Sequence, residues 1–187
     1  AANDLGAALE RIGLPVMRFK TGTPPRVDVA TINFAGLEMQ EEDPETPPFS
    51  LWSKTERRFP SRACFITRTT EETHRVIKEN FGRSALIAGL ITGTGARYCP
   101  SIEDKLNKFP DKETHKVFLE PEGAFSNEIY LQGLSTSLPE DVQEAYVATL
   151  PGLEKARITR PGYGIEYDIV DPIDLYPTLM SKSIPNL

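Results

Sequence analysis

The chain has 187 residues, of which 39% are hydrophobic and 26% are charged, a composition that is typical of a globular protein and excludes a disordered one. Its net charge of −6 excludes a global field that would attract nucleic acid, so any such contact must use a local basic patch. The longest apolar run, residues 85–91, is too short to span a bilayer, and two cysteines favour a reducing compartment over a disulfide-stapled secreted fold.

The first third of the chain predicts a short helix, a strand and a long surface connection. Apolar residues share one face of a helix over residues 4–11. A strand over residues 16–20 leads into a loop over residues 21–26. Residues 38–61 contain four prolines and few apolar residues, so we expect a surface connection there. A strand over residues 63–68 follows, with Cys64 expected in the core.

The clearest helix spans residues 69–81. Thr69 and Glu72 have the spacing of a capping box, and Gly82 follows the last apolar residue of the helix. This segment is therefore predicted to begin at Thr69 and to pack one apolar stripe against the core.

The second half of the chain predicts four strands and one further helix. Ser137 and Glu140 are expected to cap a helix over residues 140–150. A turn at Pro161 and Gly162 joins the last two strands. The strands are predicted at residues 117–120, 128–131, 156–160 and 164–170. The fold class that follows is mixed α/β with short strands.

The segment from Gly95 to Lys105 concentrates reactive side chains. Ser101 and Asp104 have the spacing of a capping box, which places Cys99 just ahead of a helix start and two residues from Arg97. Positive potential from both sources favours the thiolate. Cys99 is therefore a candidate nucleophile or redox thiol, and a small buried residue is the alternative.

The loop Thr21-Gly22-Thr23-Pro24-Pro25-Arg26 is a candidate anion site. Its hydroxyls, flexible glycine and diproline are suited to hold a phosphate or carboxylate with the guanidinium of Arg26. An ordinary proline turn that closes a strand is the alternative interpretation.

Two carboxylates, Glu120 and Glu122, lie at a predicted strand end, where α/β sheets tend to bind ligands. They are candidates for acid–base chemistry or for binding ribose hydroxyls, and an exposed acidic turn is the alternative. Tyr163 and Tyr167 are spaced to flank a flat ring system, although a half-buried strand explains them equally well.

The two histidines, His74 and His115, have no partner at a metal-ligand spacing, so the sequence predicts no metal site. No glycine-rich dinucleotide fingerprint follows a predicted strand. Scattered basic residues indicate a solvated face or an anionic partner, and they are Arg57, Arg58, Arg62 and Arg68.

Several strings of this sequence together resemble the family of tRNA uridine 5-carboxymethylaminomethyl modification enzymes, MnmG or GidA, and its mitochondrial counterparts. The strings are KTGTPPR at residues 20–26, RYCPSIEDK at 97–105, FLEPEG at 118–123, LSTSLPEDVQ at 134–143 and RPGYGIEYD at 160–168. The resemblance covers nearly the whole chain.

The resemblance implies a flavoprotein that uses FAD and NADH and modifies ring carbon 5 of the wobble uridine in tRNA. A folate-derived one-carbon unit and an amino acid supply the added group, and the partners are tRNA, the GTPase MnmE and a second copy of the protein. It implies that this chain is a central fragment of the enzyme. Residues 1–16 would end a helix of the FAD domain, 17–110 would form an inserted NAD-associated α/β domain, and 111–187 would return to the Rossmann-type FAD-binding domain.

The resemblance also implies site residues. Cys99 matches a motif cysteine and is the catalytic candidate. Glu120, Glu122, Tyr163 and Glu166 are flavin-proximal candidates. The substrate or phosphate loop comprises Lys20, Thr21, Gly22, Thr23 and Arg26. The predicted NAD contacts are Gly95, Arg97, Tyr98, Cys99, Pro100, Ser101, Ile102, Glu103, Asp104, Lys105 and Phe109.

Two alternatives to this function stay open from the sequence. One is the related folate-dependent tRNA uridine methyltransferase flavoprotein, and the other is a non-catalytic binding module when the fragment is isolated. The expected compartment is the bacterial cytoplasm or the mitochondrion, with the mitochondrion slightly favoured by residues 108–111. The sequence does not distinguish glycine from taurine as the amino-acid donor.

Overall fold

A computed structural model describes residues 2–41, 43, 50–52 and 62–187. Within these residues the chain forms short helices and two sheets. The helices are α1 (Ala2–Arg11), α2 (Glu71–Glu79), α3 (Ile102–Lys108) and α4 (Glu140–Val147). The strands are β1 (Val16–Thr23), β2 (Arg26–Asp28), β3 (Glu38–Gln40), β4 (Cys64–Arg68), β5 (Thr94–Gly95), β6 (Lys116–Pro121), β7 (Glu128–Gln132), β8 (Ile158–Arg160) and β9 (Tyr163–Val170). The predicted mixed α/β class is confirmed.

The larger sheet has six antiparallel strands in the order β3-β4-β6-β7-β2-β8. Alternate residues of its central strands are apolar and buried, so one face of the sheet forms the core with α2, α3 and α4. The fully buried members from the helices include Ile77, Leu106 and Tyr146. The strands contribute Val27, Val117, Leu119, Ile129 and Leu131.

The smaller sheet has the order β5-β1-β9, with β1 parallel to β5 and antiparallel to β9. The chain passes between the two sheets four times, and two of these crossings are short turns. Pro24 and Pro25, both buried, separate β1 from β2; since proline donates no backbone hydrogen bond, the diproline interrupts the ladder. Pro161 and Gly162 separate β8 from β9. The last two strands therefore lie in different sheets and do not form the hairpin that a simple turn would give.

A buried glutamine holds the second of these short crossings, and a close backbone approach joins that crossing to the first. Gln143 of α4 donates to the carbonyl oxygens of Leu138 and Gly162 at 2.7 and 2.8 Å, and its Oε1 accepts from the Gly162 N–H at 2.6 Å. A Cβ on Gly162 would lie 2.6 Å from the carbonyl oxygen of Thr23, a contact that no side chain tolerates. Glycine at this position is thus required by the close approach of the two crossings.

The predicted domain boundary at residue 110 separates strands that the structure joins. β4 precedes the boundary and β6 follows it, and the two pair from Phe65 with Leu119 to Arg68 with Lys116. β1 and β9 likewise lie on opposite sides and pair along their whole length. Backbone hydrogen bonds therefore cross the division, and residues 17–110 and 111–187 do not form separate sheets. The division as domains of a longer protein stays a prediction.

Three local predictions are corrected. The N-cap of α2 is Thr70, which forms the reciprocal capping box with Thr73, because Thr69 is used elsewhere. The N-cap of α4 is Pro139, without a side-chain cap, and Ser137 bonds to other partners described below. The loop expected from residue 21 is strand up to Thr23, because β9 pairs with it to the end.

The structure also locates Cys64 and the start of the surface connection over residues 38–61. Cys64 is half-buried and lines an open depression of the larger sheet with Phe118 and Glu120, on the side away from the core residues Val117 and Leu119, so the expectation of a core thiol is wrong. The connection over residues 38–61 begins with β3. Its residues 42, 44–49 and 53–61, which include Arg57 and Arg58, lie outside the described part of the chain.

Both histidines lie in one buried cluster. Thr69 Oγ1 is 2.7 Å from His74 Nε2 and accepts from the His115 N–H at 2.8 Å. The two rings are 5.6 Å apart. Burial, followed by the charges of Lys112, Lys105 and His74, lowers the pKa of His115 to about 4. Burial and Lys78 also lower the pKa of His74.

We predict that acidification destabilises the fold through His115. Between pH 6.5 and about 4 the unfolded state binds more protons at this residue, so the unfolding free energy falls as the pH is lowered. The loss from about pH 7 to about pH 5 is about 2 kcal/mol. Urea unfolding at both pH values measures it, and His115→Gln is the control, since it removes the titration and should lose about 2 kcal/mol less. An equal pH dependence in both proteins would contradict this assignment.

Candidate functional site

One pocket joins four motifs that are far apart in the sequence. It lies where β1, β9, the segment before α3 and the loop after β7 meet, and its cavity volume is about 20 Å³. From the sequence-predicted residues it collects Lys20, Thr21, Gly22, Cys99 and Ser101. Its other lining residues are Leu86, Ile91, Ser135, Thr136, Ser137 and Gly164.

A half-buried ion pair ties β1 to α3. Lys20 Nζ lies 3.0 Å from Asp104 Oδ2, and the two side chains are only 13% and 18% exposed. Lys20 also stands opposite Gly95 in the register of β1 and β5. The charge-assisted bond is shielded from water, so it contributes more than a surface pair. It holds residues 20–22 beside the turn that carries Cys99.

Cys99 is exposed at the edge of the pocket. Its Sγ lies 3.9 Å from Thr21 Oγ1, and its N–H donates to the carbonyl of Ala96. The preceding residue, Tyr98, has φ of +66°, an uncommon conformation for a residue with a side chain. The structure therefore favours an accessible thiol over the buried alternative.

Arg97 and Tyr98 pack on each other in solvent. The guanidinium carbon of Arg97 is 4.9 Å from the centroid of the Tyr98 ring, which is 86% exposed. Neither side chain lines the Cys99 pocket. This pair is a cation and a flat ring that are both open to a ligand.

The predicted start of α3 is confirmed. Ser101 is the N-cap, and its Oγ accepts from the Asp104 N–H at 3.1 Å. The carboxylate of Asp104 bonds to Lys20, so Asp104 serves the pocket as well as the first helical turn.

Ile102 and Glu103, two of the predicted NAD contacts, are completely buried. Ile102 belongs to the core. The Oε1 atom of Glu103 accepts from Ser84 Oγ at 3.2 Å, from Thr136 Oγ1 at 3.0 Å and from Ser137 N and Oγ at 2.8 and 3.2 Å. These two side chains lie inside the protein, so they position the segment and are not accessible to a ligand at the surface.

Sequence reasoning missed the contribution of Ser135, Thr136 and Ser137 to the pocket. These residues follow β7, and Ser137 was expected to cap α4. The sequence did contain one indication of this contribution, a run of three hydroxyl residues between a predicted strand and a predicted helix. The placement of Thr136 and Ser137 depends on Glu103, 33 and 34 residues away in the chain, which no local pattern identifies.

Arg26 and Glu122, predicted for different sites, form one ion pair. Arg26 Nε lies 2.8 Å from Glu122 Oε1, and Arg26 Nη1 donates to Thr23 Oγ1 at 2.8 Å. The guanidinium also lies 4.9 Å from the centroid of the Tyr130 ring. Arg26 does not line the Cys99 pocket, so the predicted phosphate loop is divided between two places.

The remaining flavin-proximal candidates have different surroundings. Glu120 is half-buried in the depression beside Cys64, and burial raises its pKa. Glu166 Oε1 accepts from the N–H groups of Thr92 and Gly93 at 2.8 and 2.6 Å, which lowers the pKa of its carboxyl. Tyr163 is 56% exposed near the crossing of the sheets. The structure does not bring these three side chains into one site.

Two absences concern the described residues alone. Within them, no three His, Cys, Asp or Glu side chains converge in a way that could hold a metal ion. No helix in the same part of the chain has the length and apolar character needed to cross a membrane.

Comparison with known proteins identifies close relatives. The family model "Glucose inhibited division protein A" matches residues 1–187. The tRNA uridine 5-carboxymethylaminomethyl modification enzyme MnmG of Bacillus velezensis is 51% identical over 183 residues, which are 98% of this chain and 29% of that enzyme.

Two solved structures of GidA from Aquifex aeolicus have the same fold, each with a TM-score of 0.82. The form I crystal structure is 52% identical and covers 94% of this chain and 30% of its own. The form II crystal structure is 48% identical and covers 98% and 29%, respectively. The chain therefore spans about three tenths of the length of these relatives.

We predict that Glu103 is essential for the stability of the pocket wall. Glu103→Leu removes the acceptor and leaves buried hydroxyls unsatisfied, so the unfolding free energy falls by about 3 kcal/mol. Glu103→Gln keeps an oxygen acceptor and should lose only about 1 kcal/mol. Urea unfolding of the two variants measures the difference, and equal losses would show that the hydrogen bonds to Oε1 do not stabilise the fold.

Proposed function

Because this chain belongs to the family of glucose inhibited division protein A, we propose that it is the central segment of an enzyme that modifies ring carbon 5 of the wobble uridine in tRNA. The product would carry a carboxymethylaminomethyl or taurinomethyl group. The observation that carries the proposal is the 51% identity over 183 residues to the Bacillus velezensis enzyme of that name. The pocket supports it, because four of the five motifs behind the resemblance converge there.

The proposed cofactors of the full-length enzyme are FAD and NADH. Residues 1–16 and 111–187 would belong to the FAD-binding domain, and the glycine-rich fingerprint for FAD would lie outside this chain. When bound, the flavin and the nicotinamide supply hydride chemistry for reducing a folate-derived one-carbon adduct on the uridine. Glu120, Glu122, Tyr163 and Glu166 are proposed near the flavin.

For NADH we propose the segment from Gly95 to Phe109. The observation that fits is the exposed pair of Arg97 and Tyr98, a cation for a pyrophosphate beside a flat ring for a base. Ile102 and Glu103 would hold the segment in place from inside the core. Asp104 would act through Lys20, which it orients toward the pocket.

Cys99 is proposed as a redox or covalent catalytic residue. Its thiol is exposed at the pocket and lies near the hydroxyl of Thr21. The ammonium group of Lys20 lines the same pocket, and electrostatic interaction couples Lys105 to Cys99. The wobble nucleotide would have to be unstacked to reach this pocket.

The proposed partners are tRNA, the GTPase MnmE and a second copy of the enzyme, the first two contacted largely by regions outside this chain. The bacterial relatives give no support to a mitochondrial preference, and we propose the bacterial cytoplasm as the compartment. The methyltransferase alternative is not favoured, since the relatives carry the MnmG and GidA names. For the isolated chain we propose binding without catalysis.

We predict that Cys99→Ser in the full-length enzyme lowers tRNA modification without unfolding the protein. The rate should fall at least about tenfold, because a hydroxyl at this position does not ionise near neutral pH. Mass spectrometry of tRNA nucleosides measures the modified uridine, and thermal unfolding checks the fold.

Cys64→Ser is the matched control, because this second thiol is half-buried on the larger sheet and does not line the pocket. It should keep close to the parent rate. Unchanged modification in Cys99→Ser would contradict the catalytic role.

A further inference from the structure

A second depression, here called the basic groove, lies beside the Cys99 turn, and Pro100 is part of its wall. Four cationic side chains line it, and no carboxylate of the described residues does: Arg68 from β4, Lys105 from α3, Lys112 from the following loop and Lys116 from β6. Phe109 and His115 also line the groove, together with Pro100 and Thr114. The free space of about 470 Å³ is in the range of ligand sites.

The cations of the groove are not neutralised by ion pairs with carboxylates of the described residues. Arg68 and Lys116 stand directly opposite each other in the register of β4 and β6, an arrangement that is destabilising for like charges. Neither they nor Lys112 form an ion pair with another described residue. Lys105 Nζ donates to the carbonyl of Gly133 at 2.7 Å, which leaves its charge uncompensated. A chain with net charge −6 thus concentrates four positive charges at one place.

The positive potential acts on the groups that face the groove. Lys112 and Lys105 add to burial in lowering the pKa of His115, and Lys112 adds to burial in lowering the pKa of Lys105. His115 Nε2 is buried and has no hydrogen-bond partner among the described residues. The nearby acids Asp111 and Glu113 line the adjoining depression with α2 instead. A bound anion would relieve this potential.

Phe109 adds an aromatic surface to the cations. It follows the last turn of α3 as its C-cap, and its ring is 57% exposed at the groove. A solvent-exposed ring beside several cations is the combination with which proteins bind single-stranded nucleic acid, by stacking bases and neutralising phosphates.

We propose that the basic groove binds the phosphodiester backbone of an RNA strand, with Phe109 stacking on one of its bases. Lys105 and Phe109 would then contact RNA, and the NADH contacts of the segment from Gly95 to Phe109 would be its exposed residues Arg97 and Tyr98. Cations from three separate segments along an open groove suit a strand with several phosphates better than a single diphosphate. The consecutive residues Cys99 and Pro100 line the pocket and the groove, respectively, so the strand would run past the thiol. This inference rests on the proposed function in taking RNA as the substrate, and it assigns the surface that holds it.

The test compares two double variants of the full-length enzyme. Lys112→Ala with Lys116→Ala removes two exposed groove cations, and Arg11→Ala with Lys155→Ala removes two exposed cations elsewhere. The probe is an unmodified tRNA transcript, titrated at several salt concentrations. The groove variant should bind about tenfold more weakly at about 100 mM salt, and its log–log salt slope should be shallower by about 1.5 to 2. The control should match the parent, and Lys112→Arg with Lys116→Arg should restore binding.

A second arm measures flavin reduction by NADH in the same proteins, which should be unchanged. Transcript binding equal to that of the control would overturn the inference. Intact transcript binding together with impaired reduction of the flavin by NADH would also overturn it, because the groove would then hold a nucleotide cofactor. A parent enzyme that binds no transcript would instead overturn the proposed function. Equal unfolding temperatures verify that both double variants are folded.

Discussion

The buried carboxylate of Glu103 is the constraint on which the candidate site depends. It lies on the first turn of α3 and accepts hydrogen bonds from Ser84, Thr136 and Ser137 through one oxygen. Because a buried polar group is costly without partners, these segments must come together around its Oε1 atom when the chain folds. The same bonds place the hydroxyl loop after β7 next to the turn that carries Cys99. The pocket is therefore a consequence of how one oxygen of this acid is hydrogen-bonded in the interior, while Oε2 is buried with no partner among the described residues.

The crossing of the two sheets provides the rest of the geometry. The buried amide of Gln143 binds the backbone of Gly162, and Gly162 in turn packs on Thr23 at the end of β1. β1 therefore lies at the junction of the sheets, with its residues 20–22 open to the pocket. Helices on one face of the larger sheet and a strand of the smaller sheet together surround the pocket.

Much of the fold was predictable, because the signals were local. Gly13, with φ of +94°, ends α1 as expected, and Ser101 caps α3. The predicted helix caps that were wrong used side chains that form hydrogen bonds with other residues instead. Thr69 was a plausible cap for α2, but its hydroxyl is used by the two histidines, and Thr70 takes its place. Strand pairing across the sheets, including that of β8 and β9 with different neighbours, depends on long-range contacts that a pattern of apolar residues does not encode.

The same distinction applies to the site. The reactive string around Cys99 was visible in the sequence, since its residues are adjacent. The partnership of Lys20 with Asp104, the role of Glu103 and the basic groove all join residues from distant segments. They became visible only with the tertiary structure. Motifs that resembled one family as separate strings are, in space, walls of one pocket and the groove beside it.

We infer that the Lys20 segment and the Cys99 turn act as one site. A double-mutant cycle on Lys20→Met and Asp104→Asn in the full-length enzyme, read out as the rate of tRNA uridine modification, measures whether they do. We expect strong non-additivity: the double variant should be no slower than the slower single variant, with a coupling of about 1 to 2 kcal/mol. Rate losses that simply add would contradict it, because the two segments would then contribute independently.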